Sequence, residues 1–236
     1  MTCSSARRDV AEASVRVDVG DASLAGDLVV PACPGPRGHP RARGVVLFAH
    51  GSGSSRHSPR NRAVAAALQE AGLATLLIDL LTAGEERIDA ATGHLRFDIG
   101  LLARRLVGVL DWLEAREDTG GLGTGLFGAS TGGGAALVAA ADRPARVRAV
   151  VSRGGRPDLA GRALPRVLAP TLLIVGGDDV TVIGMNRDAM AQMTAPVRLE
   201  IVPGASHLFE EPGALDRVAA LASEWFVRYL VAAETS

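Results

Sequence analysis

Three kinds of residue that together can open an acyl bond stand far apart in this chain: a serine at 130, aspartates at 178 and 179, and a histidine at 207. Ser130 lies at the centre of Gly128-Ala129-Ser130-Thr131-Gly132, a Gly-x-Ser-x-Gly run of the nucleophile-elbow type. A serine hydroxyl is a weak nucleophile at neutral pH. It needs an imidazole within hydrogen-bond reach to take its proton, and a carboxylate to hold that imidazole in the right tautomer. The order serine, acid, histidine along the chain is the one expected when the nucleophile rides on a strand–turn–helix elbow. Such a sharp turn demands small neighbours, which Gly128, Ala129 and Gly132 supply. The helix behind the turn aims its free N–H groups at the same point.

The elements that must position these groups are readable as an alternation of apolar runs and amphipathic stretches. Residues 122–127 form a short buried-strand pattern immediately before the elbow, and 135–141 a helix that ends before Pro144. Residues 44–49, 73–78, 147–151, 171–175 and 197–202 are further apolar runs, the signature of strands in a mostly parallel sheet. Between them, Ser58-Pro59 supplies an N-cap and a first-turn proline for a helix through Leu68 that Gly72 ends. Asp98 caps a helix with Ile99, Leu102, Leu106, Val109 and Leu113 on one face. Val182, Met185, Ala189, Met190 and Met193 suit a helix whose methionines belong to the core, and 215–230 is an amphipathic closing helix. A short helix over 158–168 is expected to bend or end near Pro165. Residues 80–97 are polar and irregular, and are expected to be a long functional loop with Glu85 and Glu86 in solvent. At the start, Val15, Val17 and Val19 alternate with polar residues and pair, across a Gly20-Asp21 turn, with a strand over 24–30. These two strands should extend one sheet edge, partly antiparallel. Residues 1–13 read as a flexible tail and 31–43 as an exposed Pro/Gly/Arg-rich loop, leaving one domain over 14–236.

Strand alternating with helix from residue 44 onward implies an α/β fold. In such sheets ligands bind beyond the carboxyl ends of the strands. The loop from His50 to Ser54, Ser130, Asp178-Asp179 and His207 all fall at such ends.

The quoted segments, taken together, resemble one family. Phe48-Ala-His-Gly-Ser-Gly-Ser-Ser55, Gly128-Ala-Ser-Thr-Gly132, Leu173-Ile-Val-Gly-Gly-Asp-Asp179 and Pro203-Gly-Ala-Ser-His-Leu-Phe209 occur in the order found in α/β-hydrolases, and more narrowly in small dienelactone hydrolase-like enzymes. The resemblance implies a mostly parallel central sheet flanked by helices, with no large cap domain. It implies Ser130 as nucleophile, His207 as general base and Asp179 as orienting acid, with Asp178 the adjacent alternative. Tetrahedral oxyanions need preorganised N–H donors. The resemblance points to the backbone of Thr131 and of Ser52, with Gly53 next to it, and makes His50 a loop-packing residue rather than a base. Dienelactone hydrolases carry a cysteine nucleophile. The serine at 130 favours a general ester or lactone hydrolase over their particular substrate. Other Ser-His-Asp reactions (acyl transfer, thioester cleavage, C–C hydrolysis) and a non-catalytic binding module on the same fold are the alternatives. Arg153 and Arg56, each at an active edge, either pair with a substrate carboxylate or form structural ion pairs.

Composition narrows the remaining classes. A net charge of −1 offers no field for nucleic acid or anionic membrane. No apolar run is long enough for a membrane span, and the N-terminus lacks the apolar core of a signal peptide, so the expected compartment is the cytosol. Two cysteines, Cys3 and Cys33, make no disulfide framework. Every basic residue other than histidine is arginine, which excludes a P-loop lysine and Schiff-base chemistry. Gly123-x-Gly125-x-x-Gly128 matches the dinucleotide fingerprint in form only, because it overlaps a strand instead of following one. Histidines at 39, 50, 57, 94 and 207 show no ligand spacing. No metal and no cofactor are therefore expected, and a small-molecule ester or lactone is the expected partner. No pattern in the chain encodes an oligomeric state.

Overall fold

The strands that carry the site are apolar on both faces, so they can lie only in the interior of a sheet covered by helices on each side. β3 (Val45–Ala49), β4 (Ala74–Ile78), β5 (Thr124–Ala129) and β7 (Thr171–Gly176) are buried along their whole length. With β1 (Val10–Val19), β2 (Ala22–Pro31), β6 (Val147–Arg153) and β8 (Val197–Val202) they form an eight-stranded sheet in the order β1-β2-β4-β3-β5-β6-β7-β8. The computed structural model describes residues 10–31 and 42–231. Cys3, Cys33, His39 and most of the expected tail and Pro-rich loop lie outside these.

β2 pairs antiparallel with both β1 and β4, and the pairs from β4 to β8 are parallel. The two N-terminal strands thus extend one edge, as their alternation implies. β1 begins inside the expected tail: Val10 pairs with Pro31 and Ala13 with Leu28. Its backbone bonds, rather than its apolar pattern, carry the strand beyond Val15.

α1 (Pro59–Glu70) and α6 (Ala214–Leu230) cover one face of the sheet, packing Val64, Leu68, Val218, Trp225 and Phe226 against Phe48, Phe127 and Val151. α3 (Ile99–Ala115) and α4 (Thr131–Asp142) cover the other. Ser58 caps α1 by accepting from the Asn61 N–H, and Asp98 caps α3 by accepting from the Leu101 N–H. The segment Pro157–Arg166 is 3-10 rather than α, and turns at Gly161, where φ is +46°. α5 (Val180–Met190) buries Val182, Ile183, Asn186 and Ala189, whereas its methionines are only half-buried. Of the methionines expected in the core, Met193, beyond the end of α5, packs half-buried against it, while the fully buried positions of α5 go to aliphatics and an asparagine.

The largest departure concerns residues 80–97. They are not an irregular loop but a capped helix, α2 (Ala83–Thr92), followed by a single 3-10 turn at Leu95–Phe97. Thr82 and Glu85 form a capping box, and Gly93 ends the helix at φ +67°. Glu85 is not a solvated loop residue. Its carboxylate receives both Nη groups of Arg105, at 2.9 and 2.6 Å, and Arg105 is buried under α2. Partial burial of Glu85 works against its charge, but the Arg105 and Thr82 hydrogen bonds outweigh it and hold the carboxyl below its ordinary pKa. No separate cap domain is present among the described residues, and no helix there is long and apolar enough to cross a membrane.

Removing Glu85 would strand the Arg105 guanidinium and break the capping box together. Glu85→Ala is expected to lower the unfolding free energy by about 2 kcal/mol or more, read from the urea midpoint. Glu86→Ala, exposed on the same helix, should shift it by less than about 0.5 kcal/mol.

Candidate active site

Ser130 occupies a backbone conformation that side chains rarely adopt, with φ +49° and ψ −121°. Its surroundings explain how it is held. A Cβ on Gly128 would lie 2.5 Å from the Gly133 Cα, and one on Gly132 would lie 2.3 Å from the Ala49 carbonyl oxygen. β5, the turn and α4 therefore close on one another with no room for side chains. The Ser130 N–H donates to the Arg153 carbonyl at 3.2 Å, and its own carbonyl accepts from Gly133 and Arg156, both at 3.0 Å. These bonds clamp the turn between β6 and α4.

A second close approach brings acid and base together. Gly176 ends β7 where a Cβ would lie 2.3 Å from the Ala205 carbonyl oxygen. The Gly177 N–H donates to Val202 and the Asp178 N–H to Ala205, tying the β7 loop to the β8 loop. In that frame His207 Nδ1 stands 2.6 Å from Asp179 Oδ2. Asp178 is exposed, so the carboxylate that meets the imidazole is that of Asp179. A carboxylate on Nδ1 places a proton there and leaves Nε2 with a free lone pair. The His207 ring stands against the loop after β6, since a Cβ on Gly154, the residue after Arg153, would stand 3.5 Å from its Cε1. The loop is held further by Glu211, whose Oε2 accepts from the Ser206 N–H at 3.0 Å, and by Phe209, buried at φ +57°.

The other two expected donors and the two arginines fall as follows. Ser52 and Thr131 adjoin one another, but the Ser52 N–H donates to Thr131 Oγ1 at 2.9 Å. The expected donor is thus engaged by a side chain. Arg56 is not placed to meet a substrate carboxylate. Its backbone N–H donates to Asp79 Oδ1 at 2.7 Å, its guanidinium pairs with Asp79, and Asp27 stands 3.6 Å from its Nε. It anchors the glycine–serine loop to β4, because two carboxylates already claim its charge. Arg153 is buried and, among the described residues, pairs with no carboxylate. His50 packs the same loop: Nε2 accepts from the Leu80 N–H at 3.0 Å and Nδ1 donates to the Gly51 carbonyl at 3.0 Å. Both ring nitrogens are spent, and burial lowers its pKa below the ordinary histidine value.

Beside the elbow opens a cleft of about 480 Å³. Ser52, Thr131 and Leu102 line it, along with Asp89 and Arg96 from the α2 region. Asp89 accepts from the Leu95 and Arg96 N–H groups and pairs with the Arg96 guanidinium, which fixes that wall. Sequence reasoning missed Asp89, Arg96 and Arg105. Their signal was the capping box at Thr82–Glu85, not hydrophobic periodicity. No cluster of three or more metal-ligating side chains occurs among the described residues.

Residues 44–172 match the α/β hydrolase fold family, over more than half of the chain. The chain belongs to the α/β hydrolases. It is 66% identical to a crystallised dienelactone hydrolase from Anabaena variabilis, with a TM-score of 0.88 over 94% of this chain and 99% of that one. Est1E from Butyrivibrio proteoclasticus shares the fold at 16% identity, with a TM-score of 0.72 over 91% of this chain and 98% of that one. Two curated proteins from Mycobacterium tuberculosis strains, provisionally named phosphoribosyl transferases, are 57% identical over 216 residues. Those residues are 92% of this chain and 46% of each relative, so the chain spans about half the length of these relatives.

The buried neutral His50 makes stability depend on pH. Its folded pKa lies below the unfolded value of about 6.5, so the unfolded chain binds more protons between the two. The contribution is complete above pH 6.5 and is lost as pH falls, at up to about 1.4 kcal/mol per unit. Urea unfolding between pH 7 and 5 should show this slope, and His50→Gln should flatten it.

Proposed function

We propose that the chain is a serine hydrolase that cleaves a small carboxylic ester or lactone through an acyl-enzyme. The observation that carries this reading is the 2.6 Å contact of His207 Nδ1 with Asp179, made at the same sheet edge as a serine held at positive φ. The Ser130 hydroxyl attacks the ester carbonyl as His207 Nε2 takes its proton. The tetrahedral oxyanion is received by the N–H of Thr131, the first residue of α4, which as a first-turn donor has no partner within the helix. Ser52 supplies the second N–H once Thr131 Oγ1 turns aside. His207 then protonates the leaving alcohol. It next activates a water that releases the acid and restores Ser130.

The name of the Anabaena relative supports a lactone or ester as substrate. The transferase name of the mycobacterial relatives is best assigned to the half of those proteins that this chain does not cover, because the covered half has the hydrolase fold. No cofactor enters the scheme, and each proton is handled by His207.

Ser130→Ala should abolish turnover of p-nitrophenyl acetate and labelling by a fluorophosphonate probe, with the circular dichroism spectrum unchanged. Turnover that survives in this variant would end the hydrolase reading. Asp179→Asn is expected to cost about 10³- to 10⁴-fold in kcat, because an amide on Nδ1 favours the tautomer with its proton on Nε2. Asp178→Asn should cost little.

A further inference from the structure

Arg153 ends β6 on the face packed by α1 and α6, in line with Ala149 and Val151. Only 7% of the residue is exposed. Buried arginines are ordinarily paired with a carboxylate, as Arg105 is with Glu85. Arg153 is not. Its Nη2 donates to the neutral Asn61 Oδ1 at 3.3 Å, and Nε and Nη1 meet no acceptor among the described residues. The charge it faces is a second cation, Arg60; burial and then this repulsion lower its pKa to about 10, so it stays charged at neutral pH. Among the described residues Arg60 has one acidic partner, Glu210 at 3.2 Å, whose side chain is 63% exposed, and its Nε also meets no acceptor there.

Arg153 reaches the first turn of α1 through Asn61, and Arg60 is carried by that same turn. That turn contains no acidic residue to offset the positive end of the helix dipole. The cluster adjoins the reacting groups: the Arg153 carbonyl accepts from the Ser130 N–H, and Gly154 backs the His207 ring.

We propose that Arg153, Arg60 and the amino end of α1 form a subsite for a phosphate group carried by the ester substrate. This rests on the hydrolase reading above. Two guanidiniums and a helix terminus, set against one exposed carboxylate, leave more positive charge than a carboxylate can neutralise. A phosphate monoester carries about −1.5 to −2 near pH 7 and offers three acceptor oxygens. Glu210 holds Arg60 through an exposed pair, which exchanges readily. The phosphate takes its place on Arg60, and Asn61 releases Arg153 Nη2 to it.

The test compares 2-acetoxyethyl phosphate, 3-acetoxypropanoate and 2-methoxyethyl acetate as substrates, and the effect of inorganic phosphate on the melting temperature. The wild-type chain should turn over the phosphate ester with a kcat/KM about tenfold or more above the neutral ester, with the carboxylate between them. Arg153→Met and Arg60→Gln should collapse that ratio toward one, and Arg148→Gln, exposed near the start of β6, should keep it. Inorganic phosphate at constant ionic strength should raise the melting temperature of the wild type but not of the two variants. Without ligand, Arg153→Met should melt higher than wild type, because it removes an unpaired buried charge; a purely structural arginine would give the opposite shift. Equal turnover of the three esters, a preference for the carboxylate, or a ratio that survives both substitutions would overturn the subsite. If no ester is cleaved, the hydrolase reading fails on its own, and the phosphate-dependent melting shift still decides the subsite.

Discussion

The molecule depends on backbone surfaces that touch with no side chain between them. Ser130 holds a positive φ, a conformation worth about 1–3 kcal/mol of strain for a residue with a Cβ, because β5, β3 and α4 leave it no other path. Gly128 and Gly132 permit the contact, and the hydrogen bonds to Arg153, Gly133 and Arg156 hold it. Gly176 repeats the device two strands away. There it lets the loop after β7 press against the loop after β8, so that Asp179 and His207 meet. Both approaches lie at carboxyl ends of parallel strands, where chain direction sends every loop to the same side.

The α2 region completes the cleft by a different means. It buries little apolar surface, and Ile88 and Phe97 stay exposed. What fixes it is charge: Glu85 on Arg105 and Asp89 on Arg96, with Thr82 closing the helix start. The arginines of the site divide by what they face. Arg56, Arg96 and Arg105 are neutralised by carboxylates of the fold, whereas Arg153, set against α1, keeps donors without partners among the described residues. A chain with no lysine places planar, permanently charged forks at each of these positions, and their pairing separates scaffold from candidate recognition.

Much of this was legible in the residues. Continuous apolar runs mark strands covered on both faces, and the Ser58 and Asp98 caps mark where α1 and α3 begin. The Gly-x-Ser-x-Gly run announced the elbow. What escaped was what periodicity does not report. α2 has Asp89 as its buried residue, so no apolar stripe exposes it, although Thr82-x-x-Glu85 and Gly93 were its punctuation. The methionines of α5 matched a helical face that the structure only half buries, because Ile183 and Asn186 take the inner positions.

The sequence by itself determined the layer architecture, the type of turn under Ser130 and the candidate groups carried by the loops at the carboxyl ends of the strands, since each follows from local composition and spacing. Only the tertiary structure set Asp179, not Asp178, against the His207 imidazole, tied Arg56 to Asp79 and Asp27, engaged the Ser52 N–H with Thr131, and left Arg153 without a carboxylate among the described residues. Those outcomes depend on which side chain faces which across strands distant in the chain. Direction and burial at such crossings are set by packing of the whole sheet, and no local pattern of residues encodes them.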